Sequence, residues 1–275
     1  MIALERMCCM NVLGRRLGFT IILLFYNLYN NEIHAQKSEV YVHFAGILEH
    51  VIQNDDRMSP LAYKGKSLGG IGGFYIESKR NFHQFQSVFS TGIHNNNHSN
   101  SVLFYRFRLS NFSYVKKREK PGQKFFWGIS NQNNYTYREN RGFSNFSDHY
   151  EYFTTFGPAA AIKIPINIKK HRFRWLTTGH WQVIGFLMRP SFLSSLPTGF
   201  DDPDLPYLER LIRSFEAFHP GKAYALGFDS QFSWLLSTGN KITIIYHYDF
   251  YRLNTNQPVE METNGLFIQL STRLR

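Results

Sequence analysis

Apolar and polar residues alternate with period two over most of this chain, as in strands with two unlike faces. In the clearest run, 223–237, Tyr224, Leu226, Phe228, Phe232, Trp234 and Leu236 share one face, opposed by Ala223, Ala225, Gly227, Asp229, Gln231 and Ser233. In the next, Ile242, Ile244, Tyr246, Tyr248 and Phe250 oppose Lys241, Thr243, His247 and Asp249. In the last, Leu266, Ile268, Leu270 and Leu274 oppose Gln269, Ser271, Arg273 and Arg275. The rule also holds around Phe85–Ile93, Leu103–Ser110, Phe125–Tyr137, Ile162–Ile168 and Phe173–Val183, and more weakly over 39–52 and the glycine-rich 68–78. Ten strands are predicted.

The connections predicted between them form a second pattern. Gaps near 53–66, 96–100, 139–149, 190–221 and 254–263 are mostly long and polar, whereas those near 79–81, 116–122, 169–171 and 238–240 are short. Long and short gaps alternate, as expected of an antiparallel transmembrane β-barrel with long outer loops, short inner turns and both termini on the inner side. A soluble sandwich or lipocalin-like barrel also alternates, but its exposed polar face carries many Lys and Glu. Here the polar face is mostly Ser, Thr, Gln, Asn, Gly and Arg, and Trp, Tyr and Phe gather near segment ends, like lipid-facing girdles.

Composition sharpens this picture. Of 275 residues, 17% are aromatic and only 19% charged, below the roughly 25% charged of soluble domains. With 43% hydrophobic residues and no low-complexity tract, the chain is not disordered. The net charge of +11 suggests nucleic acid, but the basic runs Lys116-Lys117-Arg118 and Lys169-Lys170-His171-Arg172 are short and fall in predicted turns, so no nucleic-acid partner is expected.

The first 35 residues read as a secretory leader. Arg15 and Arg16 precede the apolar stretch Leu17 to Leu28, and Ala35 before Gln36 supplies a small residue for cleavage. The stretch is shorter than the ~20 residues a spanning helix needs, and the other reading is an N-terminal anchor helix. Cleavage would leave residues 36–275 as the barrel, with a charge of +10 and no cysteine, because Cys8 and Cys9 go with the leader. Glu5 and Arg6 lie far upstream, which makes Met10 an alternative start.

Over residues 36–275 the chain resembles Gram-negative outer-membrane β-barrel proteins as a class, by pattern and not by motif. The resemblance implies export, insertion by the outer-membrane assembly machinery, and the lipid bilayer as surroundings. One departure is the end, Leu270-Ser271-Thr272-Arg273-Leu274-Arg275, where such barrels often close on an aromatic residue.

Candidate chemistry lies on the polar face. A three-residue turn Thr238-Gly239-Asn240 would pair Asp229 with Asp249 and Gln231 with His247, gathering two carboxylates and an imidazole near the outer rim. Paired aspartates share protons unequally and a nearby His can act as a general base, so Asp229, Asp249 and His247 are the candidate catalytic residues. Ten-stranded outer-membrane proteases of the omptin family place acidic and His residues at the mouth. The similarity to them is confined to strand number and residue type, and no residue role is carried over. The alternative is a polar lumen in which Asp229 and Asp249 pair with Arg106 or Arg108, since small barrels fill their interiors with side chains.

Metal binding by His94, His98 and His247 lacks ligand spacing, and nothing in the sequence requires a cofactor. Outer-membrane lipid hydrolases use His and Ser near a strand end, as His98 and Ser99 would be, but the Asn-rich run His94 to Asn100 also reads as a plain loop.

Within 190–221, Asp201-Asp202-Pro203-Asp204 offers a helix start, and Leu208, Leu211, Ile212, Phe215 and Phe218 recur at helical spacing before His219-Pro220-Gly221. A short amphipathic outer helix is predicted, able to constrict the mouth, rest on the rim or meet a protein partner, or else simply to pack its apolar face on the barrel's upper wall. The functional expectation is a non-enzymatic component or narrow pore, and the alternative is a hydrolase. A wide pore does not fit ten strands. Arg106, Arg108, Lys163, Arg174 and Arg273 on the lumen face would favour anions along any pathway.

Overall fold

The computed structural model describes residues 38–56, 58–98, 100–140, 148–189, 204–254 and 258–274. The leader predicted over 1–35 lies outside them.

The strands are β1 (Glu39–Asp55), β2 (Ser59–Glu77), β3 (Asn81–Asn95), β4 (Ser101–Lys120), β5 (Gln123–Asn140), β6 (Asp148–Ile168), β7 (His171–Gln182), β8 (Ile184–Met188), β9 (Glu216–Phe218), β10 (Ala223–Leu235), β11 (Lys241–Leu253) and β12 (Val259–Leu274). Every pairing is antiparallel. The circuit β1-β2-β3-β4-β5-β6-β7-β10-β11-β12 closes on β1, making a ten-stranded barrel. β8 continues β7 along β6 after Val183, where the register shifts by one, and β9 pairs β8 as an extension. The start of β1 and the end of β12 lie at one rim, since Val40 pairs with Leu274. That rim is called here the termini end and the opposite rim the loop end.

The alternation read from the sequence sets the two faces. Leu226, Phe228, Phe232 and Trp234 on β10 point outward and are exposed, as are Ile244 and Tyr246 on β11 and Leu266, Ile268 and Leu270 on β12. Their neighbours Asp229, Gln231, Ser233, Thr243, His247 and Gln269 point inward and are buried. An apolar outside around a polar inside belongs to a barrel that crosses a lipid bilayer, where closure pairs every backbone group. Outward aromatic pairs mark both rims. Phe74–Phe85 and Phe173–Trp234 lie toward the termini end, and Tyr105–Tyr137 and Tyr224–Phe250 toward the loop end. Barrel strands of 12 to 21 residues exceed the ~9–11 that span the bilayer, so they extend beyond it.

Two predicted loops are strands instead. The polar stretch 53–66 is a hairpin with only residues 56–58 between β1 and β2, and 254–263 contains the start of β12. Gln53, Asp55 and Thr263 are polar because they face the lumen, where each is at most 1% exposed. A strand's polar lumen face and a polar loop look alike in composition. At the termini end the turns are tight, with Gly122 and Gly239 at positive φ.

The helix α1 (Tyr207–Arg213) is present but shorter than predicted and has no side-chain cap at Pro206. Phe218 belongs to β9, where it is buried. Phe215 packs on the outward-facing Phe186, while Tyr207, Leu208 and Ile212 stay exposed. The segment therefore lies against the outer side of the loop end, and these three apolar side chains are not packed on the wall.

Candidate functional site

The lumen is filled by side chains in successive layers. Near the loop end, Val51, Phe104, Phe153, Leu187, Phe218 and Leu253 belong to one buried apolar cluster. Phe82, Phe112, Tyr114, Phe126 and Leu176 belong to another toward the termini end.

Charged networks run between these clusters. In the loop-end layer, Arg138 Nη1 meets Asp55 Oδ2 at 2.9 Å and its Nε donates to Gln53 Oε1 at 2.8 Å. Arg138 also reaches Glu151 at 3.4 Å and the Tyr251 hydroxyl at 2.9 Å, and Tyr251 donates to Glu151. Arg189 pairs with Asp55 at 2.9 Å. In the middle layer, Arg106 pairs with Glu49 at 2.5 Å and donates to Thr263 at 3.1 Å. In the termini-end layer, Glu77 is shared by Lys163 at 2.5 Å and Arg174 at 3.0 Å.

The three candidate catalytic residues come together in the middle layer. His247 Nδ1 lies 2.5 Å from Asp229 Oδ1, and its Nε2 lies 2.7 Å from Asp249 Oδ2. Arg108 pairs with Asp249 and places Nη2 3.2 Å from His247 Nε2. His180 Nε2 lies 3.9 Å from Asp249 and accepts a 2.9 Å bond from the Gln132 amide.

The register differs from that expected. The turn has five residues, Leu236–Asn240, closed by the Leu236 amide donating to the Asn240 carbonyl at 2.9 Å. That moves each partner by two positions, so Asp229 pairs with His247 and Asp249 with Gly227. The cluster also sits at the midpoint of β10 and β11, not at the rim.

This arrangement limits its chemistry. An Asp-oriented imidazole is half of a general-base machine, but the other ring nitrogen, which would take the proton, is held between Asp249 and Arg108. Among the described residues no side-chain hydroxyl or thiol bonds to His247, so no serine- or cysteine-type nucleophile is placed beside it. Gly227 supplies the space the cluster occupies, since a Cβ there would lie 2.0 Å from His180 Cε1 and 2.6 Å from Asp249 Oδ1.

The other candidates are dispersed. His94 is fully buried near the loop end and bonds Gln53 at 3.2 Å and Ser67 at 2.9 Å, far along the sheet from His247. Among the described residues no three His, Cys, Asp or Glu side chains are disposed as a metal site, so His94, His98 and His247 do not converge. The Asn96 side chain accepts the His98 and Asn100 amides, which makes 96–100 a self-bonded loop; Ser99 lies outside the described residues. Of the five basic residues assigned to the lumen, Arg106, Arg108, Lys163 and Arg174 are there, each paired with a carboxylate. Arg273 is at the rim instead, 42% exposed and paired with Glu39 at 3.1 Å, because β12 has passed out of the barrel wall's buried stretch.

Several lumen residues were not singled out from sequence: Glu49, Asp55, Glu77, Arg138 and Glu151. Each has the inward parity of its strand, and extending the alternation past the apolar runs would have found them.

No protein-family model matches the chain, and no curated protein matches its sequence. Among solved structures it is similar to the translocator domain of the autotransporter NalP from Neisseria meningitidis, at 8% identity over 96% of this chain and 95% of that one, with a TM-score of 0.37. An outer membrane channel from Pseudomonas putida is 9% identical over 89% of this chain and 98% of its own, with a TM-score of 0.37. The Pseudomonas putida toluene transporter TodX is 7% identical over 87% and 90%, with a TM-score of 0.31. Likenesses this loose carry no residue role across.

Proposed function

We propose that this chain is a non-enzymatic outer-membrane β-barrel, a structural or accessory component whose lumen is closed to solutes. The observation that carries the reading is that the lumen's ion pairs run from wall to wall. Arg108 on β4 pairs with Asp249 on β11, and Arg174 on β7 with Glu77 on β2; each pair joins strands five places apart in the ten-strand circuit. Side chains that meet across the diameter leave no through path between them, and breaking such a pair strands a buried charge. The apolar belt supports the bilayer as surroundings. The leader expected over 1–35 supports export and cleavage near Ala35, and with it insertion by the outer-membrane assembly machinery. Short turns at the termini end support a periplasmic setting for that rim, and the exposed α1 face is the surface for any protein partner.

Liposome swelling tests this reading. Vesicles carrying the folded chain should take up a small sugar no faster than empty vesicles, and faster uptake would contradict a closed lumen.

A second reading, a hydrolase of peptides or lipids, is supported by the Asp229–His247–Asp249 contact alone. Under it, replacing all three with Ala abolishes hydrolysis and leaves folding intact.

A further inference from the structure

Ion pairing is uneven along the lumen. In the loop-end layer Arg138 and Arg189 face Asp55 and Glu151. In the middle layer Arg106 and Arg108 face Glu49, Asp229 and Asp249, with His247 between the aspartates. In the termini-end layer Lys163, Arg174 and Lys241 have only Glu77. Glu39, at the rim beyond, is already paired with Arg273.

Lys241 is the unmatched cation. It is 7% exposed, and among the described residues no carboxylate lies within ion-pairing distance of it. Its Nζ stands 3.2 Å from the centre of the Tyr41 ring, which supplies a cation–π contact but accepts none of its protons as a carboxylate would. A buried ammonium without a counter-charge is costly, so the layer has room for an anion in the electrostatic sense.

It has room in the steric sense too. A cavity of about 40 Å³ opens beside Lys241, lined also by Arg174, His43, Gln84, Gln231 and Gln269, with no carboxylate in its wall. That volume has room for a few water-sized atoms. His43 is 2% exposed, and its Nε2 has no hydrogen-bond partner. Gly73 leaves that nitrogen its space, since a Cβ there would lie 2.7 Å from it.

From the surplus of cations, the unpaired buried Lys241 and His43, and the amide-lined cavity, we infer that the termini end of the lumen is a binding site for a small free oxyanion of the phosphate class. Lys241 is its anchoring charge. Arg174 adds a second positive charge, and the glutamine amides can turn their N–H groups toward the oxygens. The site stands whether or not the lumen conducts.

The test is calorimetric titration of the detergent-solubilised, folded full chain with inorganic phosphate at fixed ionic strength in chloride. Saturable binding at one site is expected. Lys241→Gln should weaken it at least about tenfold, while Lys241→Arg, which keeps the charge, should stay within about threefold. Gln269→Glu supplies the missing carboxylate inside the cavity and should abolish binding, which decides the matter even where Lys241→Gln does not fold. Phosphate carried on micellar phosphatidic acid should give no such heat, because the site lies inside the wall. Absence of saturable binding, unchanged affinity in Lys241→Gln or Gln269→Glu, or equal binding of the lipid phosphate would each overturn the assignment.

Discussion

Arg108 on β4 and Asp249 on β11 form an ion pair across the full width of the barrel, and Asp249 also holds His247 at 2.7 Å. Neither side chain is more than 13% exposed, so each is the other's replacement for water. Arg108→Leu therefore strands a carboxylate and should cost about 3–5 kcal/mol, as breaking a buried pair does. Arg108→Leu with Asp249→Leu should recover most of that loss. Urea midpoints read from the heat-modifiable band measure both, and a double variant no more stable than the single would refute the pairing energy.

Gly227 makes space for the same cluster. Gly227→Ala puts a methyl within 2.0 Å of the His180 ring, and the ring cannot retreat without giving up its bond to Gln132. The urea midpoint should fall. Trimming the ring in Gly227→Ala/His180→Ser should restore part of it, whereas equal loss in both variants would place the strain elsewhere.

The outer face answers to lipid. Ile244 is 48% exposed within the apolar belt of β11, between Phe232 and Ile268, so Ile244→Arg should destabilise the barrel by about 2–4 kcal/mol in a bilayer. Glu260→Arg, at the loop end of β12 and outside the apolar belt, should change stability little. Equal effects at the two positions would contradict the placement of the bilayer.

The histidine cluster is expected to be structural. Asp229→Asn and His247→Gln keep shape and hydrogen-bonding capacity, and on this account any ester or peptide hydrolysis by the purified barrel continues unchanged. Loss of turnover in either variant, with the folded band intact, would favour the hydrolytic reading.

The strands' two faces were legible in the sequence because one face meets lipid and the other a polar lumen, and runs such as Leu226–Trp234 record that contrast residue by residue. Boundaries were less legible. Gln53 and Asp55 read as loop because a lumen-facing polar residue has the composition of a surface one. The β10–β11 register shifted by two because the turn takes five residues, which depends on the Leu236–Asn240 closure and not on composition. The lumen partners were hidden for a different reason. Glu49 and Arg106 are 57 positions apart and Glu77 and Arg174 are 97 apart, and nothing local says which inward acid meets which inward base. Asp229, His247 and Asp249 were found as a group because one hairpin carries all three.

The measurement that bears most directly on the account is single-channel recording in planar lipid bilayers, with the native chain set against Arg108→Ser/Arg174→Ser, in which both full-width ion pairs are cut. A silent native barrel is expected, with discrete openings in the variant that still runs as a folded band. Steady conductance through the native barrel would contradict it.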